Sequence, residues 1–328
     1  MKRNSTFGFQ ILVVLAAACA TIAGVPHLLA GEESEAPSQA GAATAQAASS
    51  GERFEGYLFL DEEGRPLPFQ SDEDIEEKLR TAAVVSKSKI RVGVTLPKKV
   101  LLASDSHRFN AVFKFLDETK KNVRDPTATG NARLYLEWRD SYVYDIAAYR
   151  VDRLLGLNRV PPIVPRKIRA LKGSIQIWVE GTITESGRRE RNIKPPEVAR
   201  FQQQRSTMNL FDNLVANRDN NLGNSLIDGN WRLWFIDCSR CFGRSPDLLY
   251  PETVTHCDRQ VWRDLKKLDR SAADEALSAY LTGAEIDALF ARRDKLVDLL
   301  QARIDEWGEE LVLFDQRPPT ETAPWIEE

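Results

Sequence analysis

The sequence predicts an α+β fold of two lobes, with a mostly antiparallel sheet up to about residue 180 and a mainly helical part after it. Short apolar runs bounded by polar or turn residues occur at residues 90–94, 100–102 and 111–115, and such runs are typical of strands. Residues 174–179 alternate between apolar and other side chains, which predicts the last strand of the first lobe. Later apolar residues recur mostly at helical spacing.

The composition is that of a globular protein: 42% of the 328 residues are hydrophobic and 28% are charged. The formal net charge is −3, which argues against general binding of nucleic acids, because that function requires a basic field. A local basic run at residues 188–191 is explained by a solvated loop.

Residues 1–30 have the features of an export signal. Lys2 and Arg3 are followed by an apolar stretch, and cleavage is expected before Gly31. Two alternatives remain open: an uncleaved membrane tether through residues 7–30, and a lipid attached to Cys19. In each case the rest of the chain is expected outside the cytoplasm. The mature part has no Asn-x-Ser/Thr sequence, which favours a bacterial periplasm or envelope over a Golgi lumen.

The remaining chain divides by composition. Residues 31–52 contain no large apolar side chain and are expected to form a disordered linker. Residues 53–180 and 181–316 are then the two lobes, and the proline-containing residues 317–328 are expected to be a loose tail.

Residues 209–243 carry the strongest chemical signal. A helix is expected to end near Val215 and to be followed by a polar loop, a strand at residues 226–227 and a returning strand up to Phe235. Asp228-Gly229 between the two strands predicts a type I′ turn. Trp231, Leu233 and Phe235 alternate along the returning strand.

This hairpin is expected to bring together Asp219 before its first strand and Asp237 after its second, with Asn224 between them. Phosphoryl transfer requires this set of groups. Asp219 would accept or orient the proton of an attacking hydroxyl, while Asn224 and Asp237 would hold a divalent metal ion. The alternative is that Asp and Asn simply favour loops.

Three segments of the sequence resemble the atypical secretory-pathway kinases, a family that includes Golgi casein kinase, glycosaminoglycan xylosylkinase and Four-jointed. The segments are NRDNNLGN (217–224), WFIDCSRCFG (234–243) and YDIAAYRVDRLLGLNRVPPIVPR (144–166). The resemblance covers about residues 109–245 and is more distant to the phosphoinositide kinases. It implies a two-lobed protein-kinase-like fold that binds ATP with Mg²⁺ or Mn²⁺ and phosphorylates a hydroxyl of a protein or glycan.

The resemblance also implies roles for residues of the first lobe. Lys114 corresponds to the lysine that holds the nucleotide phosphates; the alternative is a lysine facing water on an edge strand. The preceding loop, 104–108, would cover the phosphates with Ser104 and Ser106, because it contains no glycine.

Asp145 falls where the family has a glutamate that pairs with the lysine or the metal. The pair is expected to be longer or to work through the metal, because aspartate is one methylene shorter. The alternative for Asp145 is stabilisation of a helix N-terminus. Trp178 would lie near the lobe hinge and the adenine pocket.

Two predicted helices are expected to have a structural role. Val143, Ala147, Val151 and Leu154 form one helix face, and Pro161-Pro162 is expected to stop that helix. A capping box at Thr282 and Glu285 predicts a helix to about Trp307, whose inward side chains are Ile286, Leu289, Leu296, Leu300 and Ile304.

Three cysteines follow the apolar N-terminal stretch: Cys238, Cys241 and Cys257. In an oxidising compartment they favour a structural disulfide between Cys257 and one of the other two. Two functional hypotheses result: an exported kinase, and a pseudokinase that binds a nucleotide or a partner without transferring phosphate.

Overall fold

The computed structural model describes residues 59–90, 97–104, 107–124 and 134–316, but not the side chains of residues 121–138. The described residues belong to one unit of the chain, Glu52–Glu328. The expected signal or tether, the linker at residues 31–52 and the tail at residues 317–328 lie outside the described residues. Within the described ranges, no helix is both long and apolar enough to cross a lipid bilayer.

Five antiparallel strands form the main sheet, in the order β1-β2-β3-β7-β6. They are β1 (Ala83–Lys89), β2 (Lys98–Ser104), β3 (His107–Lys114), β6 (Ile163–Ile168) and β7 (Leu171–Ile177). A separate hairpin pairs β4 (Asp117–Arg124) with β5 (Leu134–Ser141). Strands are found at all three of the positions expected at residues 100–102, 111–115 and 174–179. Strand β2 extends two residues further at each end, whereas β3 begins four residues earlier and β7 three residues earlier than expected. Of the strand expected at 90–94, only Ile90 is described, and it follows the end of β1; the rest of that expected strand lies outside the described residues.

The rest of the described chain is mainly helical. Its helices are α1 (Asp72–Thr81), α2 (Tyr142–Leu154), α3 (Glu185–Glu190), α4 (Val198–Leu214), α5 (Arg259–Lys267), α6 (Arg270–Leu277), α7 (Gly283–Trp307) and α8 (Glu309–Val312), with a 3-10 turn at Pro251–Thr253. Short strands β8 (Ile183–Thr184), β9 (Ser225–Ile227) and β10 (Leu233–Phe235) form a three-stranded sheet, and β11 (Cys257–Asp258) pairs with β12 (Leu313–Phe314). The predicted α+β fold class is confirmed.

Strand β10 lies between two apolar cores. Leu233 and Phe235 belong to the core of the helical lobe, whereas Trp234 belongs to the core under the five-stranded sheet. The predicted alternation on this strand is therefore present, but both of its faces are buried, because each faces a different lobe.

The predicted type I′ turn between β9 and β10 is wrong. Ile227 pairs with Leu233, so five residues connect the strands instead of two. The left-handed residue is Trp231, with φ of 58°, and not Gly229. The carboxylate of Asp228 accepts hydrogen bonds from the backbone N–H groups of Asn230 (2.9 Å) and Arg232 (3.0 Å), which holds this longer connection in place.

Helix α2 is buried more widely than its sequence predicted. Ala147 and Val151 are buried as expected, but so are Asp145 and Asp152 on the neighbouring stripe. The helix packs against β6, β7 and α6, and none of its residues is fully exposed. It ends at Leu154, before a left-handed Gly156 (φ 60°), and not at the prolines.

The C-terminal helix agrees with its sequence. Thr282 and Glu285 form the reciprocal hydrogen bonds of a capping box, and α7 then runs to Trp307. The expected inward residues Ile286, Leu289, Leu296 and Leu300 are buried, and Ile304 packs against the same core.

Candidate active site

Lys114 lies at the centre of a buried charged cluster. Its Nζ is 2.9 Å from Oδ2 of Asp145 and 2.8 Å from Oδ1 of Asp237. Strand β3 is internal to the sheet, and Lys114 is only 8% exposed, so the alternative of an edge strand with this lysine in water is wrong. A buried lysine needs such partners, because an unpaired ammonium group away from water is costly.

The two carboxylates have different pKa shifts. Burial raises the pKa of Asp145 to about 6, although Lys114 acts in the opposite direction. Burial also opposes the ionisation of Asp237, but the charge of Lys114 and a hydrogen bond from Ser239 hold its pKa below the usual value. Asp237 is therefore the more strongly ionised member of the pair.

Asp145 reaches Lys114 directly despite its short side chain, so the expectation of a longer pair is wrong. It stands in the first turn of α2, whose N-cap is Ser141. The backbone N–H of Cys238 also donates to its carboxylate. Helix α2 is held in place by Glu76 of α1, which contacts Nη1 of Arg150 at 3.0 Å.

Asp237 follows β10 in a left-handed conformation, with φ of 61°. Such a backbone is uncommon for aspartate and turns the chain sharply after the strand. The hydroxyl of Ser239 donates to Oδ1 of Asp237 at 3.2 Å. The side chain remains 30% exposed, and its described hydrogen bonds with Lys114 and Ser239 both use Oδ1 and not Oδ2.

Asp219 and Asn224 lie in one loop that is tied to the end of β10. The side-chain amide of Asn224 donates to the backbone carbonyl of Asp219 at 2.9 Å. The backbone carbonyl of Asn224 accepts a hydrogen bond from the N–H of Ile236 at 3.1 Å. Because Ile236 immediately precedes Asp237, these bonds link the loop to the position of Asp237.

Arg240 joins this loop to the first lobe and was not identified from the sequence. Its Nη1 is 2.8 Å from Oδ2 of Asp219, and its Nε is 2.9 Å from Oδ2 of Asp140. Asp140 lies in β5, next to the N-cap of α2. The signal for this role in the sequence was an arginine inside the segment 234–243, three residues after Asp237.

Asp212 stabilises the same loop through hydrogen bonds and was also not identified from the sequence. Its Oδ1 accepts a hydrogen bond from the side chain of Asn217 at 2.8 Å, and Oδ1 of Asn217 accepts one from the N–H of Asp219 at 3.0 Å. Burial raises the pKa of Asp212 to about 7. The N–H of Asp219 is thereby held through Asn217 by a buried acid of helix α4.

The remaining predicted site residues lie apart from this cluster. Ser104 pairs with His107, seven residues along β3 from Lys114, which corresponds to roughly 20 Å at about 3.3 Å per residue. At this distance Ser104 is too far from Lys114 for the phosphate-covering role expected of loop 104–108. Ser106 is not described. The end of β1 and the start of β2 lie beside the Lys114 end of β3 instead, since Lys98 pairs with both Lys89 and Phe113.

Trp178 directly follows β7. Its N–H donates to the carbonyl of Asn110 at 3.0 Å, and Nζ of Lys99 lies 4.3 Å from its ring centroid. Its described contacts are with these two residues and not with the charged cluster. The adenine-pocket role of Trp178 stays a prediction.

The expected disulfide is absent, because Cys238, Cys241 and Cys257 are all free thiols. Cys238 and Cys241 contact each other through a side-chain hydrogen bond. The thiol of Cys257 instead donates to the carbonyl of Asp258 at 3.3 Å. Cys238 and Cys241 therefore contact each other, whereas the described partner of the Cys257 thiol is a backbone carbonyl.

The donor set fits a hard divalent cation. In the described ranges, no three His, Cys, Asp or Glu side chains converge on a common metal position. Asn224 uses its amide nitrogen to bind the Asp219 carbonyl, which leaves Oδ1 for a ligand, and Asp237 offers Oδ2, because its described hydrogen bonds use Oδ1. Mg²⁺ and Mn²⁺ favour such oxygen donors and commonly complete their shell with water and phosphate oxygens.

Comparison with known proteins gives matches among solved structures. No protein-family profile and no curated protein sequence matches the chain. The structure of hydra Fam20 with sugar matches with a TM-score of 0.56 and 17% identity, over 76% of this chain and 95% of that one. A structure of the Golgi casein kinase matches with a TM-score of 0.51 and 15% identity, over 76% and 82%.

A further structure of the Golgi casein kinase, with Mn and ADP bound, matches with a TM-score of 0.50 and 16% identity, over 75% of this chain and 80% of that one. At these identities the similarity concerns the fold. The chain therefore has the two-lobed protein-kinase-like fold of the atypical secretory-pathway kinases.

Proposed function

We propose that this protein is a kinase that transfers the γ-phosphate of ATP to a hydroxyl of a protein or glycan, with Mg²⁺ or Mn²⁺. The observation that carries the proposal is the buried contact of Lys114 with both Asp145 and Asp237, next to the loop of Asp219 and Asn224. Phosphoryl transfer depends mainly on positioning and charge stabilisation, and this cluster supplies groups for both.

Each residue has a distinct part in the proposed reaction. Lys114 would bind nucleotide phosphates, with Asp145 fixing its position. Asp219 would orient the acceptor hydroxyl and accept its proton. Asn224 and Asp237 would hold the metal ion, which would neutralise charge on the phosphates. Arg240 would keep the carboxylate of Asp219 in place through their 2.8 Å contact.

The second candidate is a pseudokinase. Oδ2 of Asp219 is already engaged by Arg240 and Oδ1 by the side chain of Asn221, so both oxygens that would bind an acceptor hydroxyl have partners. A protein that binds ATP and metal, yet transfers phosphate to no acceptor, to itself or to water, would support this alternative.

The metal assignment predicts graded losses. Asp237→Ala should abolish metal-dependent ATP binding, because it removes the charged oxygen donor. Asn224→Ala should only weaken it, because it removes a neutral donor. Calorimetric titration of ATP with and without Mn²⁺ measures both effects. Asn230→Ala, on the exposed hairpin turn, is the matched control. Unchanged metal-dependent affinity in the Asp237 variant would remove that residue from the site.

The kinase is further proposed to act outside the cytoplasm, because residues 1–30 combine Lys2 and Arg3 with a long apolar stretch. A fusion of residues 1–50 to a reporter that is active only after export should be active. The same fusion with Lys2 and Arg3 changed to glutamate should be exported less efficiently. A reporter confined to the cytoplasm would contradict the proposal.

A further inference from the structure

The outer edges of the main sheet form a surface that the proposed reaction does not use. No described strand pairs with the outer edge of β1 or of β6. The two edges line one open groove of about 540 Å³, between Val84–Lys87 on β1 and Arg166–Arg169, which covers the end of β6 and the first residue after it. Unpaired strand edges present N–H and C=O groups that another extended chain can bind.

The charge of this surface is of one sign. Five exposed cations lie on or beside the two edges, and we call them the basic edge: Lys87, Lys89, Lys167, Arg169 and Lys172. The sequence contains no Asp or Glu from residue 78 to 104 or from 153 to 179, although the whole chain is acidic overall. No acidic residue lines the groove within the described ranges. In the same ranges, no ion pair neutralises the basic edge.

The cations of the two edges act on one another. Burial, then the charges of Arg169 and Lys98, lower the pKa of Lys87. Arg166 holds β6 against the end of α1, because its guanidinium donates to the backbone carbonyls of Leu79 (2.6 Å) and Ala82. The groove is therefore held in place although its positive charges repel each other. An anionic ligand would reduce this repulsion.

We propose that this groove binds an acidic segment of another protein in an extended conformation. The strand edges would hydrogen bond to its backbone, and the basic edge would contact its carboxylates. Val85, which is 46% exposed on β1, offers an apolar contact for an alternate side chain of the segment.

Lysines on edge strands also protect proteins from edge-to-edge aggregation, and that role accounts for isolated cations. Protection from aggregation does not require that two separate strands both carry only positive charges. A uniformly basic edge repels a second copy of itself but attracts an acidic strand, so the two roles are compatible. The proposal is independent of phosphoryl transfer, since none of the proposed catalytic residues lines the groove.

The test uses the mature full chain and a short labelled peptide that alternates glutamate and valine. Fluorescence anisotropy should show binding that weakens as salt is added. The double variant Lys87→Glu, Arg169→Glu should bind about tenfold more weakly or worse. The matched double variant Lys194→Glu, Lys267→Glu changes the net charge equally at exposed sites of the helical lobe and should bind like the wild type.

Two further probes decide what occupies the groove. The same peptide with N-methyl groups on alternate residues retains its charge but loses backbone donors, and it should not bind. Equal binding of the methylated peptide, or no binding of the original peptide, would overturn the proposal. Tighter binding of phosphatidylserine vesicles or of a single-stranded oligonucleotide, abolished by Lys87→Glu, Arg169→Glu, would also overturn it in favour of that ligand. Lys87→Gln, Arg169→Gln repeats the test if the reversed charges impair folding.

Discussion

Replacing Asp219 by asparagine is expected to lower phosphoryl transfer at least about a hundredfold, the scale of a lost acid–base group. The variant retains the shape of the side chain but loses the negative charge that would orient the hydroxyl. ATP binding should remain near normal, because Asp219 contacts Arg240 and Asn221 and not Lys114. Thermal stability should also change little, since asparagine retains a side-chain oxygen and Arg240 keeps its ion pair with Asp140. Transfer from γ-labelled ATP and thermal shift with ATP measure these effects.

Asp247→Asn is the matched control, because it removes an exposed carboxylate of the same lobe whose partner is Lys295. It should leave both transfer and ATP binding unchanged. If the wild type transfers phosphate and Asp219→Asn does so equally well, the catalytic assignment is wrong. If neither transfers phosphate although both bind ATP and metal, the pseudokinase alternative replaces the kinase.

The sequence correctly predicted those helices and strands that depend on residues close together in the chain. The capping box of α7 and the apolar side of α4 follow from short-range spacing, and both are found in the structure. Helix α1 and strand β1 were missed because their sequences are highly polar. Of the ten residues of α1, only Ile75, Glu76 and Leu79 are buried.

The errors concern features that tertiary contacts determine. The turn at Asp228 is stabilised by its carboxylate bonds to Asn230 and Arg232, which override the preference of an Asp-Gly pair. The wide burial of α2 depends on elements far away in the sequence. Loop 104–108 was expected to cover phosphates because it precedes the lysine strand, but antiparallel pairing places Ser104 at the far end of that strand.

In the candidate site, too, some residues were predictable from local spacing and others depend on tertiary contacts. The spacing of Asp219, Asn224 and Asp237 was visible in the sequence, and the structure places these residues around the end of β10. The contact of Lys114 with Asp145 rested on the family resemblance, since 30 residues separate them in the chain. Arg240 could not be assigned from spacing, because its two partners come from different lobes.

Lys114→Met is expected to abolish ATP binding and to destabilise the protein by about 3–5 kcal/mol at neutral pH, the cost of breaking a buried ion pair. Without the ammonium group, Asp145 and Asp237 repel each other, and the pKa of Asp145 rises further above its unfolded value. A carboxyl group whose pKa is raised on folding binds more protons in the folded state, so the lost stability should return in part as the pH falls from 8 to 5. Urea unfolding at both pH values measures this dependence.

Two variants test the cause. Lys172→Met removes an exposed cation of the adjacent strand β7 and should change stability by less than about 0.5 kcal/mol at either pH. Asp145→Asn in the Lys114→Met background removes the repulsion, so the double variant should be more stable at pH 8 than Lys114→Met alone and depend less on pH. If Lys114→Met lost the same stability at both pH values and Asp145→Asn restored none of it, the loss would come from packing and not from unpaired carboxylates. ATP binding by Lys114→Met with wild-type affinity would exclude Lys114 as a phosphate ligand.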